Sequence, residues 1–194
     1  MSTQDRRAAL RETLIRLART RIAADGTTAL KARPLAKEAG CALGAIYNVF
    51  GDMNDLVMAV NGETFKDLGA HVLAAVAPHE TKAPVDRLIA MSDAYIDFAT
   101  QNPKLWRALF EVELPGQTAP DWYISALDGL FAIIDQPIAQ HFPDLSDDDV
   151  RLRTRTLFSS VHGIVLLGIE NRISGVEEDR IPEMIRFLLR SILT

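Results

Sequence analysis

The sequence predicts an all-α fold in which a small N-terminal head of three helices precedes a larger helical body. Three observations carry this expectation. Apolar residues recur at spacings of three and four along most of the chain, and almost no stretch alternates apolar with polar as a half-buried strand would. Proline and glycine mark joints between the periodic stretches. The segment from Leu35 to Phe50 breaks at Gly40 into two short helices, the layout of a helix-turn-helix. With 48% hydrophobic residues, 194 residues can bury one substantial core and a small satellite domain.

The first helix is expected over about residues 6 to 24, with Leu10, Leu14, Leu17 and Ile22 on its inner side, and ends at Asp25-Gly26. Lys31, Arg33 and Pro34 then stand at the entry to the next helix, where proline suits the first turn. Leu35, Ala36 and Ala39 face inward there, while Lys37 and Glu38 face water. Gly40 can adopt positive φ and lets the chain turn sharply after Ala39. The second short helix starts near Ala42, and Ile46, Val49 and Phe50 form its inner stripe. Leu43, Ala45, Tyr47 and Asn48 are left mainly on other faces.

Those outer residues carry the chemistry of a base-reading helix. An asparagine amide such as Asn48 can pair in bidentate fashion with adenine, and Tyr47 can donate its hydroxyl to a phosphate. Leu43 and Ala45 suit thymine methyl groups, and Lys31 and Arg33 suit phosphates. Charge is distributed to match. Residues 1 to 55 hold nine Lys/Arg against six Asp/Glu, and residues 56 to 194 hold twelve against twenty, so a head of +3 precedes a body of −8. A basic head can meet DNA while an acidic body stays soluble and repels non-specific DNA. The same arginines also read as the solvated face of the first helix.

The order Leu35-Ala36-Lys37-Glu38-Ala39-Gly40, then Gly44-Ala45-Ile46-Tyr47-Asn48-Val49-Phe50, with Leu56 beyond it, resembles the tetracycline-repressor (TetR) family of transcriptional regulators. The likeness covers about residues 6 to 60. It implies a DNA-binding domain at 1–53, with the reading motif at about 31–50, and an effector-binding and dimerisation domain at 54–194. Three positions depart from the family pattern: Lys31 stands where Thr or Ser is usual, Ala42 where Ser is usual, and Met53 where Lys is usual. Two capping hydroxyls and one phosphate-binding ammonium are thereby lost, and Lys31 and Arg33 are the available substitutes.

In the body, a helix is expected from about Asn54 to Val76, with the stripe Val57, Val60, Thr64, Leu68 and Val72, long enough to act as a lever between head and body. Another spans about Val85 to Thr100, and a shorter one carries Leu105, Trp106, Leu109 and Phe110 before Leu114-Pro115-Gly116. Pro120 opens a helix that reaches about His141. Ser146 followed by three aspartates signals a helix start, leading to about Ile173, and a last helix covers about 178 to 193. In these two, Leu157, Val161, Val165 and Ile169, and then Ile185, Leu188, Leu189 and Ile192, form apolar stripes that fit a homodimer interface, with Ser159 and Gly163 permitting close approach. Resemblance to the family implies a four-helix bundle with the mate. The stripes also fit the chain's own core, but a two-fold dimer is the favoured reading. A two-fold dimer would place two reading helices on palindromic half-sites one DNA turn apart, roughly 34 to 36 Å.

Met91, Tyr95, Phe98, Trp106, Phe110, Trp122, Tyr123 and Phe131 concentrate bulky groups in the middle of the body, the composition of a core or of an effector pocket. A largely apolar cavity selects a hydrophobic or aromatic small molecule, and His162 is the polar group expected to face it. The expected function is that of a sequence-specific DNA-binding regulator, a repressor released when effector binding shifts the long helix and changes the separation of the heads. The rival reading is a helical ligand-binding protein of the same fold without specific DNA binding.

Other classes find little support. His71, His79, His141 and His162 are dispersed, no metal-spaced pair or glycine-rich phosphate loop occurs, and neither an enzyme, a metal nor a cofactor is expected. The longest apolar run, Val161 to Ile169, contains His162 and falls short of the roughly 20 residues of a membrane span, so a cytoplasmic protein is expected. Cys41 is the only cysteine, and the fold relies on packing.

Overall fold

A computed structural model describes residues 2–114, 116 and 118–193. The helices among them are α1 (Thr3–Asp25), α2 (Ala32–Glu38), α3 (Leu43–Val49), α4 (Met53–Val76), α5 (Pro84–Gln101), α6 (Pro103–Ala108), α7 (Asp121–His141), α8 (Asp147–Ile169) and α9 (Ile181–Ile192). No strand occurs among the described residues, and the fold is all-α. No helix is long and apolar enough to cross a membrane. Pro115, expected in a helix break, lies outside the described residues. The chain forms two compact units, residues 1–66 with 101–123, and residues 67–100 with 124–194.

The first unit is built on α1. Ser2 Oγ accepts the Asp5 N–H at 3.0 Å while the Asp5 carboxylate accepts the Ser2 N–H at 2.8 Å, a reciprocal cap that starts the helix three residues before the expected Arg6. Its inner residues Leu14, Leu17, Ala18 and Ile22 are buried in one cluster with Leu35, Ala36, Ile46, Phe50, Leu56 and Val60. Leu105 and Ala108 of α6 belong to the same cluster. The Lys104 ammonium also donates to the Ala24 carbonyl, and the Thr27 hydroxyl donates to Glu111 Oε2 at 2.5 Å. α6 ends at Ala108, and Leu109 and Phe110 follow in a tighter turn, because their N–H groups bond to the carbonyls of Trp106 and Arg107 at 3.2 and 3.0 Å.

In the second unit, Leu88, Met91, Tyr95 and Phe98 of α5 are buried, as are Phe131 and Ile138 of α7. α8 starts where Ser146 Oγ accepts the Asp149 N–H at 3.2 Å, with three aspartates over the positive end of the helix dipole. It stops at Ile169, four residues short of the expected end. Asn171 takes φ 49°, the left-handed region that asparagine tolerates, and the Arg172 N–H turns back to the Leu167 carbonyl at 3.0 Å. Gly175 lies so close to this turn that a Cβ would sit 2.6 Å from the Leu167 carbonyl oxygen. The last helix begins at Ile181, because residues 178–180 form a short 3-10 turn ahead of Pro182.

Candidate nucleic-acid interface and effector site

The turn between α2 and α3 follows from one residue's freedom. Gly40 adopts φ 67°, the Cys41 N–H bonds to the Ala36 carbonyl at 3.0 Å, and the Gly40 N–H bonds to Lys37 at 3.3 Å. This paired closure satisfies carbonyls that α2 would otherwise leave open. α3 then sits on Ile46, which is fully buried, and on Phe50. Leu43 and Tyr47 stay 37% and 46% exposed, a large apolar and an aromatic side chain left in solvent without a core to fill. Asn48, Lys31 and Arg33 are exposed, and Ala45 is half-buried. The sequence-derived reading residues therefore stand on the accessible sides of α2 and α3.

Neither short helix has a side-chain cap. Lys31 and Ala42 occupy the cap positions of α2 and α3 with extended backbone and no side-chain hydrogen bond. The Ala45 N–H bonds to the Ala42 carbonyl at 2.9 Å, while the N–H groups of Leu43 and Gly44, at the very start of α3, precede the first helical carbonyl and suit an anion such as a phosphate. Arg11 lies over the Phe50 ring at 5.4 Å, and Arg21 pairs with Glu38 at 2.5 Å, which ties α1 to α2. These two arginines are engaged within the head, whereas Arg6, Arg7 and Arg16 are exposed.

The effector candidates divide between the two units. In the second unit, the Tyr95 hydroxyl and His162 Nδ1 are 2.8 Å apart, joining α5 to α8. Phe158 stacks on His162 at 5.6 Å and meets Tyr95 and Phe131 edge-on at 5.9 and 5.1 Å. Burial lowers the pKa of the His162 imidazole and so favours its neutral form. Met91 is buried on the same helix as Tyr95, and Phe98 meets the His71 ring at 6.1 Å. Phe158, absent from the sequence-derived set, is the centre of this cluster; its signal was the four-residue spacing to His162.

Trp106, Phe110, Trp122 and Tyr123 fall in the first unit. Trp106 is buried and meets Phe110 edge-on at 5.7 Å. Tyr123 contacts Phe65 at 5.3 Å and Trp122 at 5.5 Å, and its hydroxyl accepts from Asn61 Nδ2 at 3.3 Å. Burial raises the Tyr123 phenol above its usual range. Phe110 and Trp122 are half exposed. Buried Asn61, the polar anchor of this group, was not singled out from sequence.

Comparison with known proteins decides the family. Residues 88–192 match the model of the tetracyclin repressor-like C-terminal domain. The chain belongs to this family. Among curated relatives, the HTH-type transcriptional regulator Rv1816 of Mycobacterium tuberculosis is 25% identical over 117 residues, 60% of this chain and 50% of the relative. The chain thus spans about half the length of the curated relatives it matches. Among solved structures, a protein of unknown function from Rhodococcus sp. RHA1 is 24% identical with TM-score 0.72, covering 93% of each chain. RolR in complex with resorcinol is 17% identical with TM-score 0.68, covering 98% of this chain and 96% of its own.

In this tetracycline repressor-like chain most residues of the expected dimer stripes pack inside the chain. Leu157, Val161, Val165, Ile185 and Leu189 are buried within the chain itself, because α8 and α9 turn those faces to their own unit. Ile169 and Leu188 are partly buried, and Ile192 is exposed. Within the chain, α8 approaches α9 closely at Gly168, where a Cβ would lie 2.5 Å from Ile181 Cδ1, while Gly163 has open space around it. Large apolar groups remain in solvent on the other sides of the two helices: Leu152 on α8 is 66% exposed and Phe187 on α9 is 74% exposed, with Met184 beside it in sequence register.

Proposed function

We propose that this protein is a sequence-specific DNA-binding transcriptional regulator, a repressor that a small hydrophobic or aromatic effector releases from DNA. The observation that carries the reading is α3: Leu43, Tyr47 and Asn48 stand exposed on a helix fixed from below by Ile46 and Phe50 and set by the Gly40 turn. Lys31 and Arg33, exposed at the entry of α2, contact phosphates. Residues 1–53 serve DNA binding and residues 54–194 serve effector binding and dimerisation, in the cytoplasm.

The working unit is a homodimer on a palindromic operator. Its interface uses the outward sides of α8 and α9, with Leu152, Ser159 and Gly163 on one and Phe187, Leu188 and Ile192 on the other. The effector contacts Met91, Tyr95, Phe98 and His162 in the second unit. RolR, a structural relative, holds resorcinol, which supports an aromatic effector. Release requires that the effector bind the non-reading arrangement more tightly, and a coupling of roughly 1 to 3 kcal/mol changes operator occupancy about 5- to 150-fold.

Selection of bound sequences from a random duplex library, with purified full chain at about 0.1 to 0.15 M salt, tests the reading. Enrichment of a palindrome is the expected result. Absence of any enriched sequence would overturn it and leave a helical ligand-binding protein.

A further inference from the structure

Arg87, near the start of α5, is 5% exposed, yet it has no acidic partner among the described residues. Its Nη1 donates to Gln140 Oε1 at 2.6 Å and its Nη2 to Gln136 Oε1 at 2.7 Å, both neutral amides on α7. Its Nε is buried without a hydrogen-bond partner. A guanidinium carries five N–H donors, stays charged throughout the usable pH range and fits a carboxylate edge-on. A buried charge with only neutral partners is costly, and a simple α5–α7 staple could use a neutral side chain instead. The unspent donors and the uncompensated charge call for an anion.

The surroundings say what that anion belongs to. Arg87, Met91 and Tyr95 repeat every fourth residue on one face of α5, and Tyr95 lies about 12 Å along the helix from Arg87 at 1.5 Å per residue. At that far end stand the rings of Phe158 and Phe131 and the imidazole of His162. α7 runs alongside in the opposite sense, with Gln136 and Gln140 at the Arg87 end, while Phe131 lies at the ring cluster. One face thus has a cationic end and an aromatic end, all within the second unit.

We propose that Arg87 anchors the anionic group of the effector, and that the effector is an aromatic or apolar acid whose body extends past Met91 toward Tyr95, Phe158 and His162. This rests on the reading of the body as an effector-binding domain. Gln136 and Gln140 are exposed, and their amides hold the guanidinium until the acid replaces them.

The test uses two fluorophores of matched skeleton, anilinonaphthalene sulfonate and the neutral phenylnaphthylamine, titrated onto the full chain at fixed salt. The sulfonate is expected to bind saturably, one per chain, at least about tenfold more tightly than the neutral dye. Arg87→Met should remove that preference and leave phenylnaphthylamine unchanged, while Arg87→Lys should retain part of it. Gln140→Glu, which supplies an internal counter-ion and keeps Arg87 in place, should also abolish the preference without loss of helicity, and it decides the matter if Arg87→Met fails to fold. Equal affinity of the two dyes for the unaltered chain, or a sulfonate preference that survives Gln140→Glu, would overturn the anchor. Saturable binding of the neutral dye in those cases leaves the apolar effector site standing, whereas failure of both dyes to bind removes the site and the anchor together.

Discussion

Tyr95 on α5 and His162 on α8 share a 2.8 Å hydrogen bond that makes one protonatable group part of the packing between two helices. Burial lowers the His162 pKa, so the unfolded chain takes up a proton at this site more readily than the folded one. Stability contributed here is complete well above the ordinary histidine value of about 6.5 and is lost as pH falls through that value. The expected outcome is a Tm that declines between about pH 7 and pH 5 more steeply in the parent than in His162→Gln. Parallel pH profiles for the two proteins would show that the imidazole titrates freely.

Base reading and phosphate contact separate by mutation. Asn48 is exposed on α3, and Lys31 is exposed at the entry of α2. Asn48→Ala should cost roughly 1 to 3 kcal/mol on the selected operator and flatten base preference at one position of each half-site. Lys31→Ala should weaken all duplexes alike and make the dependence of log K on log salt shallower by about one unit per chain. Binding isotherms on operator and scrambled duplex over a salt series check both; identical effects of the two changes on both duplexes would contradict the assigned roles.

What the sequence made legible was local. Gly40 announced a left-handed turn, the Ser146 cap announced the start of α8, and the spacing of Ile46 and Phe50 separated the inner from the outer face of α3. Each depends on a few neighbouring residues. The sequence could not tell what a buried stripe is buried against, so Leu157, Val161 and Leu189 fit a dimer interface by their spacing although the fold buries them in the chain's own core. α6 joins the head core through Leu105 and Ala108, a pairing with α1 across some eighty positions that periodicity does not encode. Asp52 and Asp55 close the start of α4, Asp55 Oδ2 accepting the Gly51 N–H at 2.9 Å and Asp52 Oδ1 the Asp55 N–H at 2.8 Å, an arrangement that periodicity does not encode. The burial of Arg87 likewise depends on what α5 packs against, which the local pattern does not encode.

The outward sides of α8 and α9 give a prediction about assembly. Phe187 is exposed and Leu189, two residues on, is fully buried. Phe187→Arg should shift the chain from dimer to monomer in sedimentation velocity at micromolar concentration, with helical content kept. Leu189→Ala should cost about 2 to 5 kcal/mol of stability, because it opens a cavity in the chain's own core. If Phe187→Arg sediments as the parent does, the two-fold interface lies elsewhere.

The reading helix starts without a side-chain cap. Ala42 holds φ −69° and ψ 148°, the extended conformation of a helix cap, but offers no side-chain acceptor. A serine fits that backbone and brings an oxygen to the N–H of Gly44 or Ala45. Ala42→Ser should therefore stabilise the chain by about 1 kcal/mol, read as a higher urea midpoint at unchanged m-value. The gain on DNA depends on what the uncapped N–H groups do in the complex. If they face solvent there, a better-ordered α3 raises operator affinity; if a phosphate already occupies them, the serine oxygen competes with it and affinity falls while stability still rises. Measuring both quantities on the same variant distinguishes these arrangements, and an unchanged urea midpoint would show that the first turn of α3 does not limit the stability of the head.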